Sequence, residues 1–574
     1  MVYLPGGRPR HRPEIPRQPR VRGDGPSLKD DLILYAVSAL VFLAAAIYFF
    51  YVLDVFNRDA LSRTVDAHNV LYSSDPHLGA IGLVWPPVPT MMRVLLLPLM
   101  APFGLTEFTG PLTSVIASAG CVILLNRILI RLQLPKRTRA IWIVCAMANP
   151  VTLYHFVNGT AESAFTFFFL AVILAGFQLR ARPERAVLGM GIATGLALWV
   201  RYEALAIMGM SVVGFLLMAY FYRQEPAWRD TKRLESLMIA LVFPTIFLGA
   251  LWLSFNYTAE GDALYFYRGP FSINAAPDVA KNAVDHALRY AYHSPIGTAR
   301  YVIERSLQVS FLFPIAALGV LVASLRRREL DGTVLAFLAV STLILQAYQT
   351  YSGTIAPWLR YWVYLPVFTP ILIGWLMRAY PLWLRQSGYA VWVRIALIPA
   401  LFLLGNALSY IAMGHDEVSP DEQLIVDQIA GDTERVDYVR SSANFPDREV
   451  VQQMIPVLDD SEGMILVDVQ EASVLLLEFD ESDRFVINTD RNFDQVLTQP
   501  IGQVDWILLP DPAAKGAELS RDAIYTRYPT LYDGAGWLEL AREFDGPEVD
   551  WRLYRVLGGE TDASRPTTSG SAAN

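Results

Sequence analysis

Runs of about twenty apolar residues recur along this chain, and they constrain its fold more than any other feature. A helix of that length crosses the ~30 Å hydrocarbon core of a bilayer. Of the 574 residues, 53% are hydrophobic, and the mean hydropathy is +0.32. We therefore predict an α-helical polytopic membrane protein with about eleven spans. They are expected near 32–53, 110–131, 138–156, 160–180, 186–200, 203–222, 234–257, 303–325, 331–350, 359–378 and 392–413.

The charges and cysteines exclude two classes of function. No basic surface interleaved with aromatic residues lies outside the N-terminal tail, so nucleic-acid binding is not expected. Cys121 and Cys145 both lie inside apolar runs, so they indicate neither a disulfide framework nor a metal site. Lysine is scarce beside abundant arginine and alanine, which indicates a GC-rich bacterial source.

The basic loops predict the orientation in the membrane. Short loops rich in Lys and Arg stay on the cytoplasmic side of the membrane. If the number of spans is odd, the basic loops all lie on the same side as the N-terminus, and residues 414–574 lie on the other side. We expect a multi-pass protein of the bacterial inner membrane with a cytoplasmic N-terminus. The predicted divisions are a disordered cytoplasmic tail (1–27), a transmembrane catalytic domain (28–413), an extracytoplasmic α/β domain (414–556) and a disordered tail (557–574).

Short apolar runs alternate with helical patterns in the C-terminal part, which predicts a parallel sheet with crossover helices and a terminal hairpin. This part contains no glycine-rich nucleotide fingerprint and no nucleophile motif, so substrate recognition or structural capping is its expected role. Strands are expected at 464–468, 484–487 and 504–509, helices near 469–479 and 490–498, and the hairpin at 537–544 and 551–556.

Two external loops are long enough to build a site. Loop 54–109 contains the apolar stretch 91–103, which is too short to span and is expected to lie in the interface or re-enter the membrane. Loop 258–302 has a predicted polar helix near 277–291. It also carries aromatic and basic side chains that either close over a substrate or anchor the loop at the interface, namely Tyr265, Tyr267 and Arg268.

Asp59 and Arg63 begin loop 54–109 and lie four residues apart, on one face of a helix, with Asp66 three residues further on. Ionisable groups beside hydrocarbon are costly, so their clustering here indicates a functional site. The alternative is a surface ion pair that steadies an interfacial helix and contributes only ~0.2–1 kcal/mol.

The run Asp-Ala-Leu-Ser-Arg (59–63), followed by Asp-Pro-His-Leu (75–78) and Ile-Gly-Leu-Val-Trp-Pro-Pro-Val-Pro (81–89), resembles the first external loop of bacterial GT-C type glycosyltransferases. These enzymes are related to glycosyltransferase family 39, the protein mannosyltransferases and the aminoarabinose transferase of lipid A. The resemblance extends to the whole layout and implies that Asp59 is the catalytic base. Ala60 follows where some members have a paired Asp-Glu, which leaves metal dependence open. Further substrate-binding candidates in this loop are Arg63, Asp66, His77 and Trp85.

The implied chemistry needs a base for the acceptor hydroxyl and positive charge for the departing lipid phosphate. A positioned carboxylate is worth 10²–10⁴-fold as a base, and arginine binds phosphate through paired hydrogen bonds. One base opposite the leaving group predicts inversion at the sugar carbon. The phosphate candidates are Arg201 with Tyr202 and Arg360 with Tyr361, for which snorkelling arginines in an aromatic belt are the alternative.

Glu162 follows a tight external loop and has two interpretations. It either assists the base, holding a divalent cation such as Mg²⁺ or Mn²⁺ together with Asp59, or simply caps its helix. The spacing of His68, His77 and His155 does not fit a zinc site, so we expect polar pocket or interface residues there.

We therefore predict an inverting glycosyltransferase that moves a sugar from a polyprenyl-phosphate carrier in the membrane lipid to an extracytoplasmic cell-envelope glycan, lipid or protein. One alternative is a lipid-linked sugar flippase or transporter, although the chain lacks the internal repeats of many transporters. The other is a membrane-anchored extracytoplasmic sensor or binding protein, which leaves the charges of the first loop unexplained.

Overall fold

The computed structural model describes residues 27–269, 272, 288–327, 329–380, 388–415, 418–442, 448–469, 472–514, 522–546 and 549–558. The predicted terminal tails and the predicted polar helix near 277–291 lie outside the described residues, apart from a few residues at their edges.

Long apolar helices form most of the chain, which is a multi-pass membrane protein. Among the described residues, seven helices are each long and apolar enough to cross a membrane, namely Leu28–Val52, Thr109–Arg131, Ala204–Phe221, Thr231–Glu260, Leu330–Ser352, Leu359–Ala379 and Gly388–Met413. Helices Pro295–Ser310 and Leu312–Arg327 meet at a bend of 109° and add one more span if they cross the membrane together.

All eleven predicted apolar runs are helical, but besides the bent pair, which corresponds to the run 303–325, three do not form a continuous helix of spanning length. One is divided where Asn149 caps a new helix at Pro150, its side chain accepting the Thr152 N–H at 3.2 Å. A proline at the first helical position and an Asx cap start a helix, so a run that is continuous in hydropathy is broken in structure. The three are Lys136–Met147 with Pro150–His155, Glu162–Gly176, and Pro183–Leu198.

The first external loop folds into short helices, as its amphipathic start predicts. Its apolar helix Val88–Met100 has 13 residues, too few to span, which agrees with the prediction for 91–103. The other short helices before the C-terminal part are Arg58–Tyr72, Leu78–Ile81, Ala101–Phe103, Pro226–Arg229 and Tyr265–Arg268.

A five-stranded mixed sheet with the order β2-β1-β3-β5-β4 forms the C-terminal part. Strand β1 is parallel to β2 and β3, and β5 is antiparallel to β3 and β4, so the predicted parallel strands and terminal hairpin are confirmed and share one sheet. The strands are β1 (Ile465–Leu466), β2 (Phe485–Val486), β3 (Trp506–Pro510), β4 (Leu538–Phe544) and β5 (Trp551–Val556). The helices are Pro420–Ala430, Thr433–Ser442, Arg448–Asp459, Ser473–Glu478, Ser482–Arg484, Phe493–Thr498, Ala523–Arg527 and Leu531–Asp533.

The C-terminal part packs directly on the first external loop. Leu61 and Val65 from helix Arg58–Tyr72 belong to the same buried hydrophobic cluster as the core of the sheet. Beside it, Arg491 donates to the Asp75 carboxylate from Nε at 2.7 Å, and these hydrogen bonds hold the pKa of Asp75 at about 2. The loop and the sheet thus share one core, while the predicted domain boundaries stay predictions.

Candidate active site

Asp59 lies in the first turn of helix Arg58–Tyr72, which Asn57 caps by accepting the Ala60 N–H at 3.2 Å. Its Oδ2 accepts a hydrogen bond of 2.5 Å from Nη1 of Arg360, which lies 301 positions along the chain. The Asp59 side chain stays 36% exposed and that of Arg360 is 10% exposed. The predicted base and a predicted phosphate ligand therefore meet, and the base remains partly exposed.

Arg63 contacts a different part of the loop. Its guanidinium lies 4.7 Å from the ring centroid of Trp85, and Nη1 donates to the carbonyl of Pro86 at 3.5 Å. The ion pair between Arg63 and Asp59 that their spacing allows is not formed, because the Asp59 carboxylate pairs with a distant helix instead. Burial lowers the pKa of Arg63 to about 10, although nearby carboxylates counteract it.

Asp66 lies one turn further along the same helix face, and burial raises its pKa to about 8. The neighbouring Arg93 is fully buried, and burial lowers its pKa to about 9. Nη1 of Arg93 donates to the Pro89 carbonyl at 2.9 Å, and Nη2 donates to the carbonyl of Gly159. We did not predict Arg93, although it is the one charged residue of the apolar stretch 91–103.

Arg201 lies between two carboxylates beside the Asp59–Arg360 pair. It donates to Glu162 and Glu203, with its Nε 2.9 Å from Glu203 Oε1. Burial alone would lower the pKa of Arg201, but the two carboxylates raise it above its usual value. The Oε2 atom of Glu162 is buried and has no hydrogen-bond partner among the described residues. Glu203 was not among the predicted site residues, although it stands two residues from Arg201.

Aromatic residues of the second external loop and of the neighbouring helices pack against apolar residues of the first external loop. The Tyr202 hydroxyl donates to the Val84 carbonyl at 3.1 Å and accepts from Trp252 Nε1 at 3.1 Å. Tyr265 belongs to the same apolar cluster. Tyr361 lies near both phosphate candidates, since its ring centroid is 5.9 Å from the guanidinium of Arg201 and 5.4 Å from that of Arg360.

Three predicted residues lie away from the cluster. Tyr267 is exposed, and Arg268 lies 3.8 Å from the Asp262 carboxylate of its own loop. His77 Nδ1 lies 2.7 Å from the carbonyl oxygen of Asp75, on the side of the loop that contacts the sheet. The substrate-binding roles of all three stay predictions.

The carboxylates proposed to hold a cation both contact arginines: Asp59 pairs with Arg360, and Glu162 pairs with Arg201. In the part of the chain that the structure describes, no group of three or more His, Cys, Asp or Glu side chains is arranged to hold a metal ion. This donor set does not fit a divalent cation, which needs several oxygen ligands. The cation stays a prediction, and no step below depends on it.

A substitution at Gly82 tests whether the position of the Asp66 side chain matters. The Gly82 φ of +77° is unfavourable for an L-residue, and a Cβ there would overlap the Asp66 carboxylate. Gly104 has a similar φ of +67° but open space around it. We expect Gly104→Ala to lose only about 1–2 kcal/mol of stability from the backbone. We expect Gly82→Ala also to reduce the catalytic turnover of the candidate site by about 10–100-fold, because Asp66 is displaced. Thermal unfolding and turnover of both variants check this, and equal turnover would show that the position of Asp66 does not matter.

This chain is similar to known proteins in structure, but the comparisons of sequence found no match. No known protein family matches this chain, and no curated protein matches it by sequence. The crystal structure of ArnT from Cupriavidus metallidurans bound to undecaprenyl phosphate is similar over 92% of this chain and 98% of that one, with a TM-score of 0.51 and 14% identity. The chain has the ArnT fold. This confirms the architecture that the resemblance of the first external loop implies.

Two other solved structures are similar at lower scores. The apo state of the same ArnT aligns over 90% of this chain and 98% of that one, with a TM-score of 0.46 and 13% identity. The archaeal oligosaccharyltransferase AglB from Archaeoglobus fulgidus, in complex with an inhibitory peptide and a dolichol-phosphate, aligns over 83% of this chain and 69% of that one, with a TM-score of 0.41 and 11% identity.

Proposed function

We propose that this protein is a membrane glycosyltransferase that transfers a sugar from a polyprenyl-phosphate carrier with inversion at the anomeric carbon. The observation that carries the proposal is the contact between the partly exposed Asp59 and Arg360, with Arg201 beside it. Asp59 supplies a base and Arg360 an anion ligand, while Arg201, which pairs with Glu162 and Glu203, adds positive charge beside them. The similar ArnT structure contains undecaprenyl phosphate, which supports a lipid-phosphate ligand for this fold.

In this proposal Asp59 removes the proton of an acceptor hydroxyl as the hydroxyl oxygen bonds to the anomeric carbon. The bond between that carbon and the phosphate oxygen breaks on the opposite face, and the phosphate leaves with the electron pair. Arg360 and Arg201 stabilise its negative charge, since guanidinium–phosphate hydrogen bonds are short and charge-assisted. Attack opposite the leaving group inverts the sugar carbon.

The ion pair between Asp59 and Arg360 has a role before the reaction. A lipid phosphate competes with the Asp59 carboxylate for the Arg360 guanidinium, because both are oxygen anions that accept from the same donors. Binding of the donor then releases the base from its partner. The carboxylate is thus free when the donor occupies the site.

The acceptor lies outside the cytoplasm in this proposal, since the basic short loops predict a cytoplasmic N-terminus and a C-terminal sheet on the outer side of a bacterial inner membrane. A cell-envelope glycan, lipid or protein fits such a site. The shared core of the sheet and the first external loop disfavours a separate sensor domain, because the two form one packed unit.

The proposal is tested with purified protein in detergent or liposomes and a polyprenyl-phosphate-linked sugar. We expect free polyprenyl phosphate to appear in equal amount to the transferred sugar, and the product to have the anomeric configuration opposite to that of the donor. Mass spectrometry and NMR of the product measure both. Movement of intact lipid-linked sugar across liposomes without any transfer would instead support the transporter.

A further inference from the structure

The helix that follows the last long apolar helix contacts the segment that carries Asp59 and the segment that carries Arg360. Helix Pro420–Ala430 begins after Ser419, and its first turn carries the buried Asp421 and Glu422. Glu422 is 0% exposed. The mechanism above uses neither carboxylate, and a buried carboxylate is costly unless donors surround it.

Asp421 contacts the segment that carries the proposed base. Its Oδ2 accepts from Asn57 Nδ2 at 2.9 Å and from the Tyr154 hydroxyl at 2.9 Å. The amide oxygen of Asn57, Oδ1, accepts a hydrogen bond from the Ala60 N–H and so caps the helix. Because Asn57 stands two residues before Asp59, the orientation of this cap sets where the base lies.

Glu422 contacts the segment that carries the phosphate ligand. Its Oε2 accepts from the backbone N–H of Leu359 at 3.2 Å and from that of Ser419 at 3.2 Å. Leu359 directly precedes Arg360. The other oxygen, Oε1, lies 2.9 Å from Nε2 of His155.

The hydrogen bonds around His155 fix which of its nitrogens carries the proton. Asn158 Oδ1 accepts the Thr160 N–H at 3.0 Å, so the amide nitrogen of Asn158 faces His155 Nδ1 at 3.1 Å. Nδ1 is therefore the acceptor, and Nε2 donates its proton to Glu422. Every hydrogen-bond partner of the Glu422 carboxylate is thus a donor. In Glu422→Gln, the side-chain NH₂ group would face one of these donors and could not accept its hydrogen bond.

We propose that Asp421 and Glu422 are positioning residues, Asp421 for the base Asp59 and Glu422 for the phosphate ligand Arg360. The inference rests on the proposed function of that pair. Small displacements of reacting groups cost as much as about 10²-fold in rate. The two carboxylates act on different partners, so their loss affects different kinetic constants.

For Glu422→Gln we expect a higher KM for the donor and a weaker Kd for a polyprenyl phosphate, each by about tenfold, because Arg360 is displaced. Binding is measured directly with undecaprenyl phosphate in detergent, without any sugar transfer. If the variant does not fold, His155→Phe removes one donor to the same carboxylate and is expected to raise the donor KM less.

For Asp421→Ala we expect kcat to fall about 10–100-fold with the donor KM nearly unchanged, because the cap of the Asp59 helix is freed. Asp421→Asn is expected to restore kcat. The Ser419 hydroxyl donates to Oδ1 of Asp421. In Asp421→Asn the amide oxygen is expected to accept from Asn57 and Tyr154, and the amide nitrogen to donate to the Ser419 hydroxyl, which reverses that one hydrogen bond. A role in folding alone would not separate kcat from KM in this way.

Asp427→Asn is the matched control. Asp427 lies in the same helix, is also buried, and pairs with Arg435 at 3.1 Å, away from the site. It is expected to lose similar stability in thermal unfolding and to keep both kinetic constants. If the Asp421 and Glu422 variants behave like this control, the positioning inference is wrong.

The outcomes separate this inference from the proposed function. If Asp59→Asn is inactive while Glu422→Gln binds undecaprenyl phosphate as wild type does, only the positioning by Glu422 is wrong. If Asp59→Asn keeps full turnover, the assignment of the base is wrong, and the binding measurement on Glu422→Gln still reports on Arg360.

Discussion

Replacement of Asp59 by asparagine is expected to lower sugar transfer by about 10²–10⁴-fold, the usual contribution of a positioned general base. Asparagine has nearly the same shape and still accepts a hydrogen bond from Arg360, but it cannot take up the proton of the acceptor hydroxyl. The donor KM is expected not to rise, because the neutral asparagine competes less strongly than the Asp59 carboxylate with the lipid phosphate for Arg360. The measurement is initial-rate kinetics of the purified variant with a polyprenyl-phosphate sugar.

Asp54→Asn is the control for this change. Asp54 lies in the same loop, and its side chain is 44% exposed, but it pairs with Arg440 at 3.0 Å and Arg448 at 3.4 Å, at the junction with the C-terminal part. Its replacement is expected to leave turnover within a few-fold of wild type. If Asp59→Asn keeps activity similar to Asp54→Asn, then Asp59 is not the base.

Replacement of Arg360 by glutamine is expected to reduce kcat/KM for the donor by about 10–100-fold. A hydrogen bond to a charged group is worth about 1.5–3 kcal/mol, and about 1.4 kcal/mol corresponds to tenfold. Arg360→Lys is expected to recover part of this loss, since lysine keeps the charge but lacks the planar fork that matches phosphate. Steady-state kinetics and direct binding of undecaprenyl phosphate measure both variants.

Arg300→Gln is the matched control for the loss of an arginine. Arg300 is largely exposed and pairs with Glu304 within helix Pro295–Ser310. Its replacement is expected to change neither donor binding nor turnover, because an exposed pair of this kind contributes little. Wild-type binding of the lipid phosphate by Arg360→Gln would show that Arg360 is only an interfacial anchor.

Much of the architecture follows from local sequence patterns. Hydropathy predicts every apolar helix, since the cost of exposing backbone polar groups to hydrocarbon allows few other structures. It overestimates helix length where Asn149 and Pro150 start a new helix inside one apolar run. The alternation of short strands and helices likewise predicts the parallel part of the C-terminal sheet. The apolar periodicity of a strand and that of a helix can each be recognised within a few consecutive residues.

The candidate site is only partly visible in the sequence. Asp59, Arg201 and Arg360 stand out because charges near a membrane are costly. Their partners do not, since the spacing of Asp59 and Arg63 indicates a pair that the fold does not form. Other members of the charged network carry no local signal that separates them from ordinary caps and interfacial charges, namely Arg93, Glu203, Asp421 and Glu422.

The sequence alone determined the membrane helices, the mixed α/β nature of the C-terminal part and the loop that carries Asp59. Hydropathy and the apolar periodicity of helices and strands depend only on residues that are close together in the sequence. Only the tertiary structure decided that Asp59 meets Arg360 and that the helix at 420–430 contacts both of their segments. Ion pairs and buried hydrogen bonds depend on which distant segments pack together. No pattern within a single segment specifies that choice.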